Sequence, residues 1–183
     1  TPVMMRITTR LAHSRAGVAV GQAQPQNPLH LDNERTHWVL LPGNARRQYA
    51  SLVEKQPLLL ASSEKSPYNK SLLREQKSKL GIIACGIAYN YIMENQSQEN
   101  AFPVLKISQY PIPETLIKEL ASQCDSLLIA EDGQPLVEEQ VKSLLGSNYP
   151  IKGRLTGDLP RMGELTPDCV GEALGIKQAT TFA

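Results

Sequence analysis

The stretch that decides the fold is KLGIIACGIAYNYIMEN, residues 79–95. An apolar run over Leu80–Cys85 comes first and predicts a short buried strand. Gly86 follows it, and apolar residues then recur four positions apart, which predicts an amphipathic helix over Gly86–Glu94. A strand, a tight turn and a helix in this order begin a βαβ unit.

The same pattern returns downstream of this stretch. Apolar runs predict further strands over Pro103–Ile107, Ser126–Ala130 and Ile151–Leu155. Helices are predicted to begin at Pro113 and Pro135, because proline suits the first turn of a helix. Short apolar strands that alternate with helices of about ten residues are typical of a mostly parallel sheet covered on both faces.

The segments on either side of this repeat are less regular. A polar, proline-containing stretch over Val20–Asn33 predicts a linker. The other predicted elements are a weak strand over Pro2–Ile7, helices over Ala45–Glu54 and Leu58–Lys65 divided at Pro57, an edge strand over Ser71–Glu75, and a short helix from Thr166 to Leu174.

Composition indicates an ordinary globular protein. The 183 residues are 41% hydrophobic and 20% charged, and 19 basic and 18 acidic residues leave a net charge of +1. This balance gives no electrostatic reason to expect nucleic acid or an anionic membrane as a partner. No apolar run approaches the roughly 20 residues that a membrane-spanning helix needs. Since the chain begins with Thr1 and not Met, we expect it to be a piece of a longer polypeptide.

The cysteines and histidines show no metal-site or triad spacing. Cys85, Cys124 and Cys169 are widely separated without a CxxC pair, which indicates neither a disulfide framework nor a self-contained zinc or iron–sulfur site. We expect Cys85 and Cys124 to be core residues in a protein of the reducing cytoplasm. The histidines likewise form no HxH or HExxH motif: His13, His30 and His37.

Four carboxylates gather after the predicted strand Ser126–Ala130, namely Glu131, Asp132, Glu138 and Glu139. Ligands usually bind at that edge of an open α/β sheet, where two carboxylates could act as acid and base or hold a metal. The alternative, which we favour, is structural: Asp-Gly suits a turn, and acidic residues suit the first turn of a helix.

Glycine and arginine patterns give two weaker signals. Gly81 and Gly86 belong to no phosphate-binding glycine motif, so Gly86 is interpreted as a turn residue. A basic cluster near the N-terminus could bind a carboxylate or phosphate, or be a solvated surface, and its role stays open: Arg6, Arg10, His13 and Arg15.

Taken together, an ordered set of stretches resembles the 2-oxoacid:ferredoxin oxidoreductases. No single stretch is decisive, but their order matches that family over nearly the whole chain. The stretches are PVMMRITTRLAHSR (2–15), WVLLPGNAR (38–46), SPYN (66–69), GIIACGIAYNYI (81–92), LKISQYPIP (105–113), IAEDGQPLVEEQV (129–141) and GELTPDCV (163–170).

The resemblance implies a fold and a division of the chain. The fold would be a three-layer α/β/α sandwich on a mixed, mostly parallel five-stranded sheet, as in the transketolase C-terminal domain. Its first strand, which we assign to Ser71–Glu75, would run antiparallel to the others. Residues 1–35 would end a preceding pyrimidine-side domain and its linker, residues 36–157 would form the α/β domain, and residues 158–183 would be a linker toward a further domain.

The resemblance also implies a reaction for the complete subunit. That subunit would use thiamine diphosphate, Mg²⁺ and [4Fe-4S] clusters to convert an aryl pyruvate, with indolepyruvate favoured, and coenzyme A into acyl-CoA, CO₂ and reduced ferredoxin. A beta subunit would be its partner. The sequence lacks cluster-binding cysteine runs and a diphosphate-binding motif, so we assign no catalytic residue or metal ligand and leave the cofactor-binding residues unknown.

Three functional hypotheses follow. The first is a non-catalytic assembly domain, inactive alone, whose stretches Gly81–Ile92 and Ile129–Val141 pack against other domains. The second is a module that binds coenzyme A or a nucleotide near Ser108, Gln109 and Glu131. The third is an independent interaction protein without an enzyme context.

Overall fold

The computed structural model describes residues 4, 5, 7, 9–97 and 101–176, with the backbone alone at residues 10 and 11. Its helices are α1 (Thr9–His13), a 3-10 helix (Arg35–His37), α2 (Pro42–Glu64), α3 (Ala88–Asn95), α4 (Glu114–Ser122), α5 (Leu136–Leu145) and α6 (Pro167–Ala173). Its strands are β1 (Lys70–Leu72), β2 (Gly81–Cys85), β3 (Val104–Ile107), β4 (Leu127–Ala130) and β5 (Ile151–Lys152). Within these residues, no helix has both the length and the apolar character to cross a bilayer.

The strands form one mixed sheet in the order β1-β3-β2-β4-β5. Strand β1 is antiparallel to β3, whereas the β2–β3, β2–β4 and β4–β5 pairs are parallel. The predicted five-stranded, mostly parallel sheet with an antiparallel first strand is therefore confirmed. The first strand lies at Lys70–Leu72, so its predicted range of Ser71–Glu75 was placed too late in the sequence.

Helices cover both faces of the sheet, which confirms the three-layer prediction. On one face, α4 and α5 pack on alternate strand residues such as Ile83, Leu105 and Ile129. On the other face, α3, α6 and the chain before α6 pack on Ile82 and Leu128. Alternate side chains of a strand point to opposite faces, so apolar residues at every position are what a sheet covered on both sides requires.

Two glycines of the central unit have distinct structural reasons. Gly86 has a φ of 59° and turns the chain from β2 toward α3, as the sequence indicated. Gly81 lies where the sheet meets α4. A Cβ added there would lie 2.6 Å from Cys124 Sγ and 2.9 Å from Leu127 Cδ2, so this position has no room for a side chain.

The prediction of two helices divided at Pro57 was wrong. A single helix, α2, runs from Pro42 to Glu64 with Pro57 inside it. Proline cannot donate a backbone hydrogen bond, and its ring crowds the preceding turn, but it interrupts only one rung of the helical ladder. The 23-residue helix continues through that defect.

The chain beyond residue 157 also differs from the predicted linker. Leu159, Leu165 and Val170 are fully buried, and Leu174 is nearly so, in the layer that covers the α3 side of the sheet. The packed unit therefore extends to Leu174. The predicted helix there is confirmed, with Thr166 accepting a hydrogen bond from the Cys169 backbone N–H as its N-cap.

Smaller differences lie at the ends of the chain and of the sheet. The last strand ends at Lys152 rather than at Leu155. In the predicted strand Pro2–Ile7, residues 2, 3 and 6 lie outside the described part, and residues 4, 5 and 7 are not in a strand.

Candidate functional site at the carboxyl edge of the sheet

The topology points to one place on this sheet where a ligand would be expected. Strands β2 and β4 are neighbours, but the chain leaves β2 through α3 on one face and leaves β4 through α5 on the other. Their carboxyl ends, at Gly86 and Glu131, therefore flank the switch point, where open α/β sheets usually bind ligands. Three of the four predicted carboxylates surround the end of β4.

Glu131 caps the helix that follows it. Its side chain is buried, with Oε2 accepting the Val137 backbone N–H at 3.0 Å and Oε1 accepting the Glu138 backbone N–H at 2.8 Å. Pro135, which precedes the helix, provides no side-chain cap. A carboxylate bonded to two N–H groups at a helix N-terminus is favoured by both the charge-assisted bonds and the helix dipole.

Glu138 joins α5 to the loop after β5. Its fully buried carboxylate accepts hydrogen bonds from Lys142 Nζ at 2.8 Å and from the Leu155 backbone N–H at 3.1 Å. The backbone of Gly153 lies against the same carboxylate, and a Cβ at that position would overlap it. Glu138 is therefore a structural residue that fixes the position of the loop.

Asp132 forms an ion pair with Arg154, a residue to which the sequence analysis assigned no role. Arg154 is 2% exposed, and its Nη2 lies 3.1 Å from Asp132 Oδ1. The same guanidinium donates to the carbonyl oxygens of Glu131, Arg161 and Gly163 at 3.0–3.3 Å. A buried charge needs such partners, and here they hold the segment 153–165 over the carboxyl end of β4.

These contacts support the structural interpretation of the acidic cluster. Glu131, Asp132 and Glu138 each bond to the chain around them, and Glu139 points away as an exposed residue of the first helical turn. Among the residues described here, no group of three or more histidine, cysteine or acidic side chains is arranged to hold a metal ion. No sequence motif marks Arg154, because its partners are mostly backbone carbonyls.

The loop after β3 is anchored in a similar way. The backbone N–H groups of Ser108 and Gln109 donate to Asn69 Oδ1 at 2.8 and 2.9 Å. The carbonyl oxygen of Gln109 accepts from Ser63 Oγ at 3.0 Å, and both Ser63 and Asn69 are buried. This polar cluster joins the end of α2 to the sheet. It uses the backbone groups of Ser108 and Gln109, with which a ligand in this position would have to form hydrogen bonds instead.

The predicted core cysteines are confirmed. Cys85 and Cys124 are buried, and burial, followed by the nearby Asp125 charge, raises the pKa of the Cys124 thiol. Cys169 is half-buried, and its Sγ contacts the backbone of Thr166 in the cap of α6.

The structure describes only part of the N-terminal basic cluster. Arg6 lies outside the described residues, as does the side chain of Arg10, while His13 and Arg15 are exposed. Its role remains a hypothesis from the sequence.

Comparisons with known proteins identify close sequence relatives. The chain is 34% identical over 187 residues to the indolepyruvate oxidoreductase subunit IorA of Methanothermobacter marburgensis, covering 96% of this chain and 30% of the relative. It is 32% identical over 189 residues to the same subunit of Archaeoglobus fulgidus, covering 99% of this chain and 30% of that relative. The match to the subunit of Methanothermobacter thermautotrophicus is 32% over 181 residues, covering 94% of this chain and 29% of the relative.

The comparisons with solved structures and with family models are less informative than the sequence matches. A 2-oxoglutarate:ferredoxin oxidoreductase from Magnetococcus marinus, solved with 2-oxoglutarate, coenzyme A and succinyl-CoA bound, superposes with a TM-score of 0.49 at 16% identity, covering 74% of this chain and 24% of that one. No family model matches the chain. The sequence matches instead cover almost all of this chain and about three tenths of each relative. This chain is therefore a relative of the indolepyruvate oxidoreductase IorA subunits and corresponds to about three tenths of their length.

Proposed function

We propose that this chain is a non-catalytic domain of a 2-oxoacid oxidoreductase subunit. The observation that carries the proposal is the sequence match to IorA subunits along 94–99% of this chain. The carboxyl edge of the sheet adds support, since Glu131, Asp132 and Glu138 are bonded within the domain. A domain with these features supports the arrangement of its neighbours and leaves the chemistry to them.

The complete subunit would act on an aryl pyruvate, and the names of the relatives favour indolepyruvate. Its products would be acyl-CoA, CO₂ and reduced ferredoxin, and a beta subunit would complete the enzyme. Thiamine diphosphate, held by the complete subunit, would stabilise the negative charge left when the 2-oxoacid loses CO₂. The residues described here do not fit thiamine diphosphate with Mg²⁺ or an iron–sulfur cluster, because they present neither a metal-binding group nor clustered cysteines. Other parts of the complete subunit would hold these cofactors.

The sequence predicts that Gly81–Ile92 and Ile129–Val141 pack against other domains, but only part of each stretch is accessible to a neighbour. Strand β2 within Gly81–Ile92 and residues 129–131 within Ile129–Val141 are buried inside this domain. Only the exposed residues of those stretches can contact a neighbour, chiefly Gly86, Asn90, Gly133, Gln134, Leu136 and Glu139.

A module that binds coenzyme A or a nucleotide near Ser108, Gln109 and Glu131 is the weaker proposal. The backbone N–H groups of Ser108 and Gln109 already bond to Asn69, and the Glu131 carboxylate already caps α5. A ligand there would have to replace these bonds.

Activity of the complete subunit tests the proposal. The subunit encoded by the gene of this chain, produced with its beta subunit, is expected to reduce ferredoxin when indolepyruvate and coenzyme A are added. The 183-residue chain alone is expected to show no turnover. Turnover by the chain alone, or a complete enzyme that oxidises no 2-oxoacid, would overturn the proposal.

A further inference from the structure

Helix α2 is anchored at its C-terminal end and extends past the domain to which it is attached. Ser63 is fully buried against the loop after β3, and the Glu64 carboxylate accepts the Thr115 backbone N–H at 2.7 Å, which caps α4. Upstream of these residues, the range 42–59 contains no buried position. We call residues 42–60 the overhang.

The overhang continues the side of the helix that faces the domain. Counting back from Ser63, the positions on the same side recur at alternating spacings of four and three residues: Leu59, Gln56, Leu52, Tyr49 and Ala45. Tyr49 is 69% exposed and Leu52 is 48% exposed. The stripe that meets the domain at one end of the helix is thus uncovered along the rest of it.

More apolar surface lies beside the start of the overhang. Trp38 is 67% exposed, and its Nε1 donates to the Asp32 carbonyl oxygen at 3.0 Å. Gln48 Nε2 donates to the Thr36 carbonyl oxygen at 3.1 Å, which ties this segment to α2. Leu40 and Leu41, which follow the tryptophan, are also exposed, so further apolar side chains lie just before the overhang.

A helix in this setting is poorly stabilised by itself. Most helix stability in proteins comes from packing an apolar side against a neighbour, and the overhang has no such neighbour among the described residues. Pro57 also removes the backbone hydrogen bond that would reach the Val53 carbonyl. A covering partner would supply the missing stabilisation.

We propose that the apolar stripe of the overhang docks against another domain of the same polypeptide. The inference rests on the proposed function, because it takes this chain as part of a longer subunit. The relatives that match nearly all of this chain are more than three times its length, so each contains a large additional part. Covalent linkage holds two such surfaces at a high effective concentration, which favours docking within one polypeptide.

The charges of the overhang favour a different surface over a second copy of this chain. It carries Arg46, Arg47 and Lys55 against the single acidic residue Glu54. Two copies related by a twofold axis would present this positive excess to itself, since the same patch lies on both sides. The occupant that fits is an apolar groove edged by carboxylates.

Hydrogen exchange of the complete subunit and of the 183-residue chain tests the inference. Amides of residues 46–60 are expected to exchange rapidly in the chain alone and slowly in the complete subunit. Amides of β2 provide the internal reference and should be protected in both. Rapid exchange of residues 46–60 in the complete subunit would overturn the inference. Protection in the chain alone that rises with concentration, together with a dimer mass, would overturn it in favour of a second copy.

A matched pair of substitutions locates the docking side. Leu52→Asp places a charge on the stripe, whereas Leu58→Asp places one on the opposite side of the same helix. In the complete subunit, Leu52→Asp is expected to speed exchange of the overhang by roughly tenfold or more, because a buried leucine contact is lost. Leu58→Asp should leave it unchanged, and equal effects of the two substitutions would contradict the assigned side.

The 2-oxoacid assay on the same samples separates the two proposals. An active subunit with an unprotected overhang would overturn the docking inference and leave the proposed function standing. A subunit inactive on every 2-oxoacid would overturn the proposed function, whatever the exchange shows.

Discussion

The buried Arg154 and the partly buried Asp132 form an ion pair at the carboxyl end of β4, with Arg154 Nη2 3.1 Å from Asp132 Oδ1. Asp132 Oδ1 also lies 3.3 Å from the backbone nitrogen of Leu165, which donates to it. One pair of side chains thus joins the sheet to the segment that covers it. The pair lies at the edge where the topology predicts a ligand, and its bonds are made within the domain.

Removing the guanidinium should destabilise the domain strongly. Arg154→Met retains much of the side-chain volume but removes the ion pair with Asp132 and the hydrogen bonds to three backbone carbonyl oxygens, for which we expect a loss of about 3 to 5 kcal/mol. Arg161→Met is the control, because Arg161 is exposed and makes one long hydrogen bond to Gln134; we expect a change within about 0.5 kcal/mol. Urea unfolding followed by circular dichroism measures both, and equal stabilities would contradict the assigned role.

The helix cap made by Glu131 gives a second prediction. Glu131→Gln turns one charged acceptor into an amide group that cannot accept both backbone N–H groups, so we expect a loss of about 1 to 3 kcal/mol. Glu139→Gln changes an exposed residue in the first turn of the same helix and should cost roughly 0.3 to 1 kcal/mol. Thermal unfolding compares the two, and a Glu131→Gln variant as stable as the unmodified chain would show that the carboxylate is not a cap.

Close packing at Gly81 leads to a third prediction. Gly81→Ala brings a methyl group against Cys124 Sγ and Leu127, and overpacking of this kind should cost about 1 to 3 kcal/mol. Gly43→Ala is the contrasting change, since no atom lies within 4 Å of an added Cβ in α2. Alanine is preferred to glycine in a helix, so Gly43→Ala should stabilise by about 0.5 to 1 kcal/mol. The denaturant concentration at the midpoint of unfolding measures both effects. A Gly81→Ala variant more stable than the unmodified chain would contradict the packing argument.

Stability should fall in strong alkali because of Tyr149. Its hydroxyl lies 2.7 Å from the Cys124 carbonyl oxygen, and burial, followed by the nearby Cys124 and Asp125, raises the pKa of Tyr149 from 10.0 to about 12. The folded state therefore favours the protonated phenol. Its contribution is complete below pH 10 and is lost as the pH rises from 10 toward about 12.

Tyr149→Phe is expected to remove this part of the pH dependence, whereas Tyr68→Phe, at an exposed tyrosine, should retain it. Chemical unfolding between pH 8 and pH 12 provides the measurement. An unchanged alkaline slope in Tyr149→Phe would contradict the assignment.

The sequence predicted the sheet well for a clear physical reason. Strands covered on both faces require apolar residues at every position, and such runs are visible at 81–85, 104–107 and 127–130. Each predicted strand in this unit began one residue early, because the first residue precedes the first ladder pair. The bounds of the short strands β1 and β5 were predicted less accurately, since two or three residues are too few to show a hydrophobic pattern.

Other parts of the structure depend on partners that are distant in sequence. Arg154 bonds to three backbone carbonyls from two segments, at Glu131 and at residues 161–163, and every residue type has such a carbonyl, so no sequence pattern marks these partners. Asn69 is another example, since its amide bonds to the loop after β3 about 40 residues away. The acidic cluster was found from the sequence and its structural role was favoured there, but its individual hydrogen-bond partners could not be predicted.

We propose above that this chain is a scaffold domain, and such a domain should bind no cofactor at the carboxyl edge of its sheet. Isothermal titration calorimetry of the 183-residue chain with thiamine diphosphate plus Mg²⁺, and separately with coenzyme A, tests it most directly. We predict no saturable heat at micromolar concentrations of either ligand. Saturable micromolar binding that Glu131→Gln weakens would contradict the account and assign the edge of the sheet to a ligand.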